Sequence, residues 1–458
     1  MHEELLGQLR RFLNRHPARC YWIGYSSGLD SHVLLHLCAR LRSELGGIFH
    51  AVHVNHHIHP EADRWQRHCR TVCETLGMPF LAVGVDGRAA AGESPEEAAR
   101  NARYRAFACL LRPDQALLLA HHQDDQAETV LLQLLRGAGP AGLAGMAAAA
   151  PLGRGRLLRP FLTVPRSVLR AYAEAESLPW IEDPSNRNLD FDRNYLRHRV
   201  MPLLKRRWPA CARTISRSAR HCAAAERSLA ASLAPRLSQL LDDQGRIDVV
   251  AFGELDPGHQ AQLLRAWLRR KGLSLPSEAY LRRIITEVLP AGDDRMPVVR
   301  WRGGEVRRYR NRLYALPPQP VPDPSWRRTW DGIGVLELPD GTRLESVAAF
   351  GGGIAGHWFR KGVEVTYRRG GERCRLPGRT GSRSLKKLFQ EKGVPPWLRQ
   401  RLPLLYVDGE LAAVVPFWVC QPFAAGPDEA GVVLRWSGLT AGGETENGSL
   451  VRSEAVHA

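Results

Sequence analysis

The stretch Tyr21-Trp22-Ile23-Gly24-Tyr25-Ser26-Ser27-Gly28-Leu29-Asp30-Ser31-His32-Val33-Leu34-Leu35-His36-Leu37 decides how the first half of the chain reads. The apolar run over residues 20–25 has the length and composition of a buried strand. Residues 30–42 then place Val33, Leu34, Leu37 and Leu41 at helical spacing. Between the two, small residues deliver the chain to a helix N-terminus, whose free N–H groups suit an oxyanion. Ser26 and Ser31 add hydroxyl donors, and Asp30 supplies a carboxylate able to hold a magnesium ion against phosphates. The Gly-Lys-Ser/Thr of a Walker loop is absent, and so is the dinucleotide glycine fingerprint. An ordinary serine-capped turn would need the same residues, so the surrounding chain has to discriminate.

Outward from that turn, strands are expected at 48–54, 80–85 and 116–120, and helices at 62–76 and 124–136. A further helix starts at Ser94-Pro95-Glu96-Glu97, where Ser94 reads as the cap, Pro95 fits the first turn and Glu97 closes a capping box. Strand–helix alternation of this kind predicts an α/β domain with a parallel sheet covered on both faces, over residues 1–213. Residues 214–316 read as a mainly helical domain ending in a hairpin around Gly303-Gly304. The proline-rich run 317–324 opens a linker with strands that reaches 361. A small mixed α/β domain follows over 362–436, with a helix at 384–392 and strands at 404–407 and 410–415. Residues 437–458, rich in Gly, Ser, Glu and Thr, read as a disordered tail.

The chain has 458 residues, 44% of them hydrophobic, enough for roughly three domains. Lys and Arg number 64 against 47 Asp and Glu, a net charge of +17 that suits a phosphate-rich partner. No apolar run is long enough to span a bilayer, and the amphipathic N-terminus lacks the apolar core of a signal peptide. Nine scattered cysteines, an odd number, point to a reducing cytoplasm. Cys69 and Cys73 stand four apart in a helical pattern and read as core thiols. His53, His56, His57 and His59 cluster, but nothing fixes a tetrahedral metal set.

Ser26-Ser27-Gly28-Leu29-Asp30-Ser31 resembles the Ser-Gly-Gly-x-Asp-Ser hallmark of the PP-loop ATP pyrophosphatases, with Ser27 in place of the first Gly. Three further blocks follow the same pattern. They are His53-Val54-Asn55-His56-His57, the Arg100…Arg103-Tyr104 helix, and His121-His122-Gln123-Asp124-Asp125-Gln126-Ala127-Glu128-Thr129. Arg136-Gly137-Ala138-Gly139-Pro140, Asp183-Pro184-Ser185-Asn186 and Arg193-Asn194-Tyr195-Leu196-Arg197 are similar to blocks of the lysidine synthetases within that family. Leu385-Lys386-Lys387-Leu388-Phe389 and Val394-Pro395-Pro396-Trp397-Leu398-Arg399 resemble that family's end domain more loosely.

The resemblance implies ATP and Mg2+ as cofactors, with adenylation of a wobble cytidine in the isoleucine tRNA bearing a CAU anticodon. Free L-lysine would then displace AMP; a homodimer is compatible, and no membrane partner is expected. Ser26, Ser27, Gly28, Leu29, Asp30 and Ser31 would hold the phosphates, with Asp30 on the metal. His53, Asn55 and His122 would line the nucleotide. Asp124, Asp125 and Glu128 are candidates to hold lysine's ε-amine or accept its proton. Arg100, Arg103, Arg193 and Arg197 are candidates for phosphate or tRNA charge, with Arg193, Asn194, Lys386, Lys387 and Arg399 as tRNA contacts. A tRNA thiolase on the same scaffold would need a Cys-x-x-Cys, which is absent; an ATP-binding RNA adaptor without chemistry is the other alternative.

Overall fold

The computed structural model describes residues 2–88, 94–292, 295–319, 321–379, 381–439 and 445–449. They form two compact units, Met1–Leu229 and Ala230–Ala458. In the first, a six-stranded sheet carries the strands β1 (Cys20–Gly24), β2 (Ile48–Asn55), β3 (Phe80–Gly84), β4 (Gln115–Leu118), β5 (Ala149–Leu152) and β6 (Gly155–Leu158). The order is β3-β2-β1-β4-β6-β5, parallel except for the β5–β6 pair. Ile23 pairs with both Ala51 and Leu118, so the sheet centre is an unbroken apolar layer. The helix α1 (His2–Arg15) precedes β1, and α2 (Leu29–Leu41), α3 (Ala62–Thr75), α4 (Pro95–Leu110) and α5 (Gln123–Leu135) follow β1, β2, β3 and β4 in turn. Leu5, Leu9 and Leu13 of α1 join Val33, Leu34 and Leu37 of α2 in one core, which accounts for the amphipathic N-terminus. Strand order reverses between β1 and β4, and open α/β sheets bind ligands at the carboxyl edge of such a switch point.

The capping box expected at Ser94 does not form. Ser94 is the N-cap of α4, but its side chain makes no capping bond, and it and Glu97 are exposed where water competes for both groups. The box occurs instead at α5, where His122 and Asp125 satisfy each other's backbone N–H groups.

The expected boundary at 213/214 falls inside one 30-residue helix, Cys211–Leu240. In the second unit, Trp267, Leu263, Phe252 and Ile284 pack against Val306 and Leu313 of a four-stranded antiparallel sheet. Val298–Trp301 and Gly304–Tyr309 make the anticipated hairpin. The stretch 317–361, read as a linker with strands, carries strands whose partners lie beyond it. Arg327–Trp330 pairs with Val363–Thr366, and all eight residues of Arg343–Phe350 pair with Ala430–Leu439. Those partners lie far along the chain, where hydrophobic periodicity cannot register them. A cut at 362 would therefore strip both sheets of strands. Residues 437–439 also pair, with 445–449, so this part of the expected disordered tail is strand. The rest of that tail, 440–444 and 450–458, lies outside the described residues. Cys374 and Cys420 are joined by a disulfide.

Candidate active site

The turn after β1 is held by its own hydroxyls. Ser31 Oγ donates to Gly28 O at 2.9 Å, accepts from Ser26 N–H at 3.2 Å and lies 3.1 Å from Ser26 Oγ. Ser27 adopts φ 64°, the left-handed region where a Cβ is costly and glycine is not. Its side chain is buried and folds back onto the Ser26 carbonyl, while its own carbonyl accepts from Ile181 N–H at 3.0 Å. The serine is thus accommodated at some expense. Ser27→Gly should stabilise the fold by about 0.5–1 kcal/mol, the left-handed strain less glycine's extra unfolded-state entropy. A lower melting temperature in that variant would show that the Oγ bond outweighs the strain.

Gly28 is the N-cap of α2 with no side-chain cap, Leu29 is buried, and Asp30 stands in the first turn. Asp30 Oδ1 is buried without a hydrogen-bond partner, whereas Oδ2 lies 3.6 Å from His122 Nε2 and 3.7 Å from Arg166 Nε. A buried carboxylate oxygen with nothing to bind is costly, and a cation would satisfy it.

At the neighbouring edge, β4 leads into α5. His122 Nδ1 accepts from Asp125 N–H at 3.2 Å, which assigns its proton to Nε2, facing Asp30 and Asp125. Arg197 donates to Glu128 at 2.8 Å through both Nε and Nη2, and to Asp125 at 2.7 Å. Arg193 adds contacts to Glu128 at 3.2 Å and Asp125 at 3.4 Å. Burial would raise the Asp125 pKa, but His122, Arg193 and Arg197 hold it well below the usual carboxylate range. Burial likewise opposes the Arg197 cation, and Glu128 and Asp125 overcome it. Lys205 bonds Asp124 Oδ1, while the Arg166 N–H donates to Oδ2 at 2.9 Å. Lys205 and Arg166 went unnoticed in the sequence, because neither belongs to a motif and only folding brings them to α5.

Several expected ligands turn out to organise loops. Asn55 gives its amide to Asp63 at 2.8 Å and Gln66 at 3.1 Å, and accepts from His57 N–H at 2.9 Å. His53 Nδ1 lies 2.9 Å from the Tyr25 carbonyl, at the end of β1. Asn194, expected at the tRNA, is buried and spends its amide on Ser185 O and Asn188 O at 3.0 and 2.9 Å. Arg100 lies over the Tyr104 ring at 5.0 Å. Burial, then Arg103, holds the His56 imidazole neutral, its pKa down to about 4. His121 is pushed down to about 3 by burial; Asp125 opposes the fall, and Arg159, Arg193 and Arg100 add to it. Arg100 and Arg103 of α4 therefore stand near His121, which follows β4, and His56, which follows β2.

In the second unit, Lys386 and Lys387 are exposed on Leu385–Lys392. Arg399 is corrected from a tRNA contact to a buried side chain, donating to Val394 O at 2.7 Å and reaching Tyr309 Oη at 3.4 Å. Its one-turn helix folds inward, which a basic-residue pattern does not reveal.

Comparison with known proteins matches the first 204 residues to a PP-loop domain family, residues 247–314 to a TilS substrate binding domain, and 363–436 to a TilS substrate C-terminal domain. The tRNA(Ile)-lysidine synthase of Methylococcus capsulatus is 44% identical over 431 residues, covering 92% of this chain and 97% of that one. The protein of the same name from Alkalilimnicola ehrlichii is 45% identical over 414 residues, 90% and 92% of the two chains. Among solved structures, the U34-tRNA thiolase NcsA of Methanococcus maripaludis is similar at 18% identity, with a TM-score of 0.41 over 48% of this chain and 78% of that one.

Proposed function

The chain belongs to the tRNA(Ile)-lysidine synthase family, and from that premise we propose how its residues join lysine to a wobble cytidine at the expense of ATP. The near-full-length identity to relatives of that name carries the substrate assignment, an isoleucine tRNA with a CAU anticodon and free L-lysine. The carbon-2 oxygen of cytosine is a poor leaving group until it is adenylated, so ATP is cleaved to pyrophosphate and AMP departs when the amine attacks. The reaction is a carbon–nitrogen ligation.

The turn Ser26–Ser31 and the α2 N-terminus receive the phosphates, because N–H groups and hydroxyls converge there. Asp30 Oδ1 is the fitting ligand for magnesium, which would neutralise charge on the departing pyrophosphate. Arg100 and Arg103 border the nucleotide edge as counter-charges. Asp124, Asp125 and Glu128 are the candidates to hold lysine's ammonium, which would have to take over a contact now made by Lys205, Arg193 or Arg197. Asp125, held strongly ionised by its cations, takes up a proton poorly, so its part is electrostatic anchoring. Lys386 and Lys387 offer phosphate-backbone contacts that add affinity without base selection. AMP release that requires both tRNA and lysine tests the reading; release independent of lysine would refute it.

A thiolase reading predicts reactive thiols. Cys69 and Cys73 are fully buried on α3, and burial pushes the Cys73 thiol up to about 12. Replacing both by Ala should leave lysine transfer within a few-fold of the parent in folded protein. Loss of transfer in a folded variant, or sulfur in the product tRNA, would favour the thiolase.

A further inference from the structure

We propose that Trp208 and the groove beside it seat an unpaired base of the RNA substrate next to the reacting nucleotide; the proposal rests on the tRNA reading above. The helix Met201–Arg207 starts beside the carboxylates, with Lys205 bonded to Asp124. It stops at Trp208 because Pro209 follows, and a residue before proline is driven out of the helical region; Trp208 has φ −129° and ψ 85°. That break leaves Trp208 58% exposed, a large aromatic surface left in water. Arg207 lies over the ring with its guanidinium carbon 5.6 Å from the centroid. Beside it opens a groove of about 530 Å3, lined chiefly by Leu131, Leu204, Trp208, Pro209 and Ile215.

The charge around the groove selects its occupant. Residues 193–225 contain nine Arg and Lys and no Asp or Glu. Arg206, Arg207, Arg213 and Arg217 are all exposed. A protein helix docking there would have to bring a strongly acidic rim around an apolar face. A nucleotide has that combination by construction, with a flat apolar-faced base on an anionic backbone. Leu131 lies seven residues beyond Asp124 on α5, roughly 10 Å along the axis at 1.5 Å per residue. The groove therefore lies within one loop's reach of the cluster where lysine would meet the reacting nucleotide. Stacking on Trp208 would keep the loop splayed and its target base unstacked.

The test is binding of an end-labelled anticodon stem-loop from the CAU isoleucine tRNA to the full-length protein. Trp208→Ala should weaken binding roughly 10- to 100-fold, and Trp208→Phe, which keeps an aromatic face, only a few-fold. The slope of log Kd against log salt should stay unchanged in Trp208→Ala, since no phosphate contact is lost, and should fall in Arg207→Gln. ATP binding should not change in any of these variants. In the wild-type protein, photo-crosslinking of a thiouridine-substituted loop should label the peptide containing Trp208. Unchanged stem-loop affinity in a folded Trp208→Ala protein overturns the proposal. So does a Trp208→Ala effect that sedimentation traces to dissociation of a dimer, which would make the groove a contact between two copies. Failure of the wild-type protein to release AMP with tRNA and lysine would instead remove the reading beneath it.

Discussion

Asp30→Asn should lower adenylation of the tRNA by roughly 100- to 1,000-fold while leaving tRNA affinity nearly intact. Asparagine keeps the size of the side chain, so the α2 N-terminus and the packing of Leu29 beneath it are preserved. What is lost is the negative charge on a carboxylate whose Oδ1 is buried without a partner. A neutral amide at that position cannot hold a divalent cation against phosphates, and it can present an N–H where an oxygen is required. The remaining neighbours, His122 and Arg166, stand 3.6 and 3.7 Å from Oδ2 and are cationic or neutral, so nothing substitutes for the lost charge. ATP–pyrophosphate exchange in the presence of tRNA reads the step directly. Exchange close to that of the parent would exclude Asp30 from the reacting phosphates.

Arg197→Met should cost about 3–5 kcal/mol of stability at neutral pH, because it leaves the buried Glu128 and Asp125 short of their main counter-charge. Arg193 remains, but with longer contacts of 3.2 and 3.4 Å. The pH dependence has a defined sign. Asp125 has a depressed pKa in the folded protein, so its stabilisation is present above the unfolded value of 3.8 and is lost as pH falls through the folded one. The gap between parent and variant should therefore be widest above about pH 4 and close in stronger acid. Replacing Glu128 by Leu in the Arg197→Met background should recover part of the loss, since the unpaired charge disappears with it. Urea titrations at two pH values check both statements. A gap that does not narrow in acid would mean that packing of the arginine stem, rather than its charge, supplies the stability.

Much of the site was legible because the chemistry is local in sequence. The small-residue turn after β1, the helix start carrying Asp30, and the block from His121 to Glu128 are each contiguous. Their spacing places their polar groups at strand ends without any knowledge of the sheet. Individual roles were less legible. Asn55 and Asn194 have the side chains of ligands, yet both spend their amides inside loops. Arg399 carries a charge suited to phosphate but lies buried against Val394 and Tyr309. A polar side chain can serve a ligand or the backbone equally well, and only its surroundings tell which.

By itself, then, the sequence determined the alternation of strands and helices, the position of the small-residue turn after β1, and the family, all of which rest on periodicity and contiguous motifs. The tertiary structure decided what depends on pairs distant along the chain. It put β1 between β2 and β4, so that the turn and the α5 block share one edge. It brought Arg193, Arg197 and Lys205 onto the α5 carboxylates, which pairs each of them with a cation. It also drew Arg327–Trp330 and Arg343–Phe350 into sheets with strands beyond residue 362. The physical reason is common to all three. A strand's partner and a charge's counter-ion are chosen by burial and geometry in space, and neither leaves a mark at a fixed spacing along the chain.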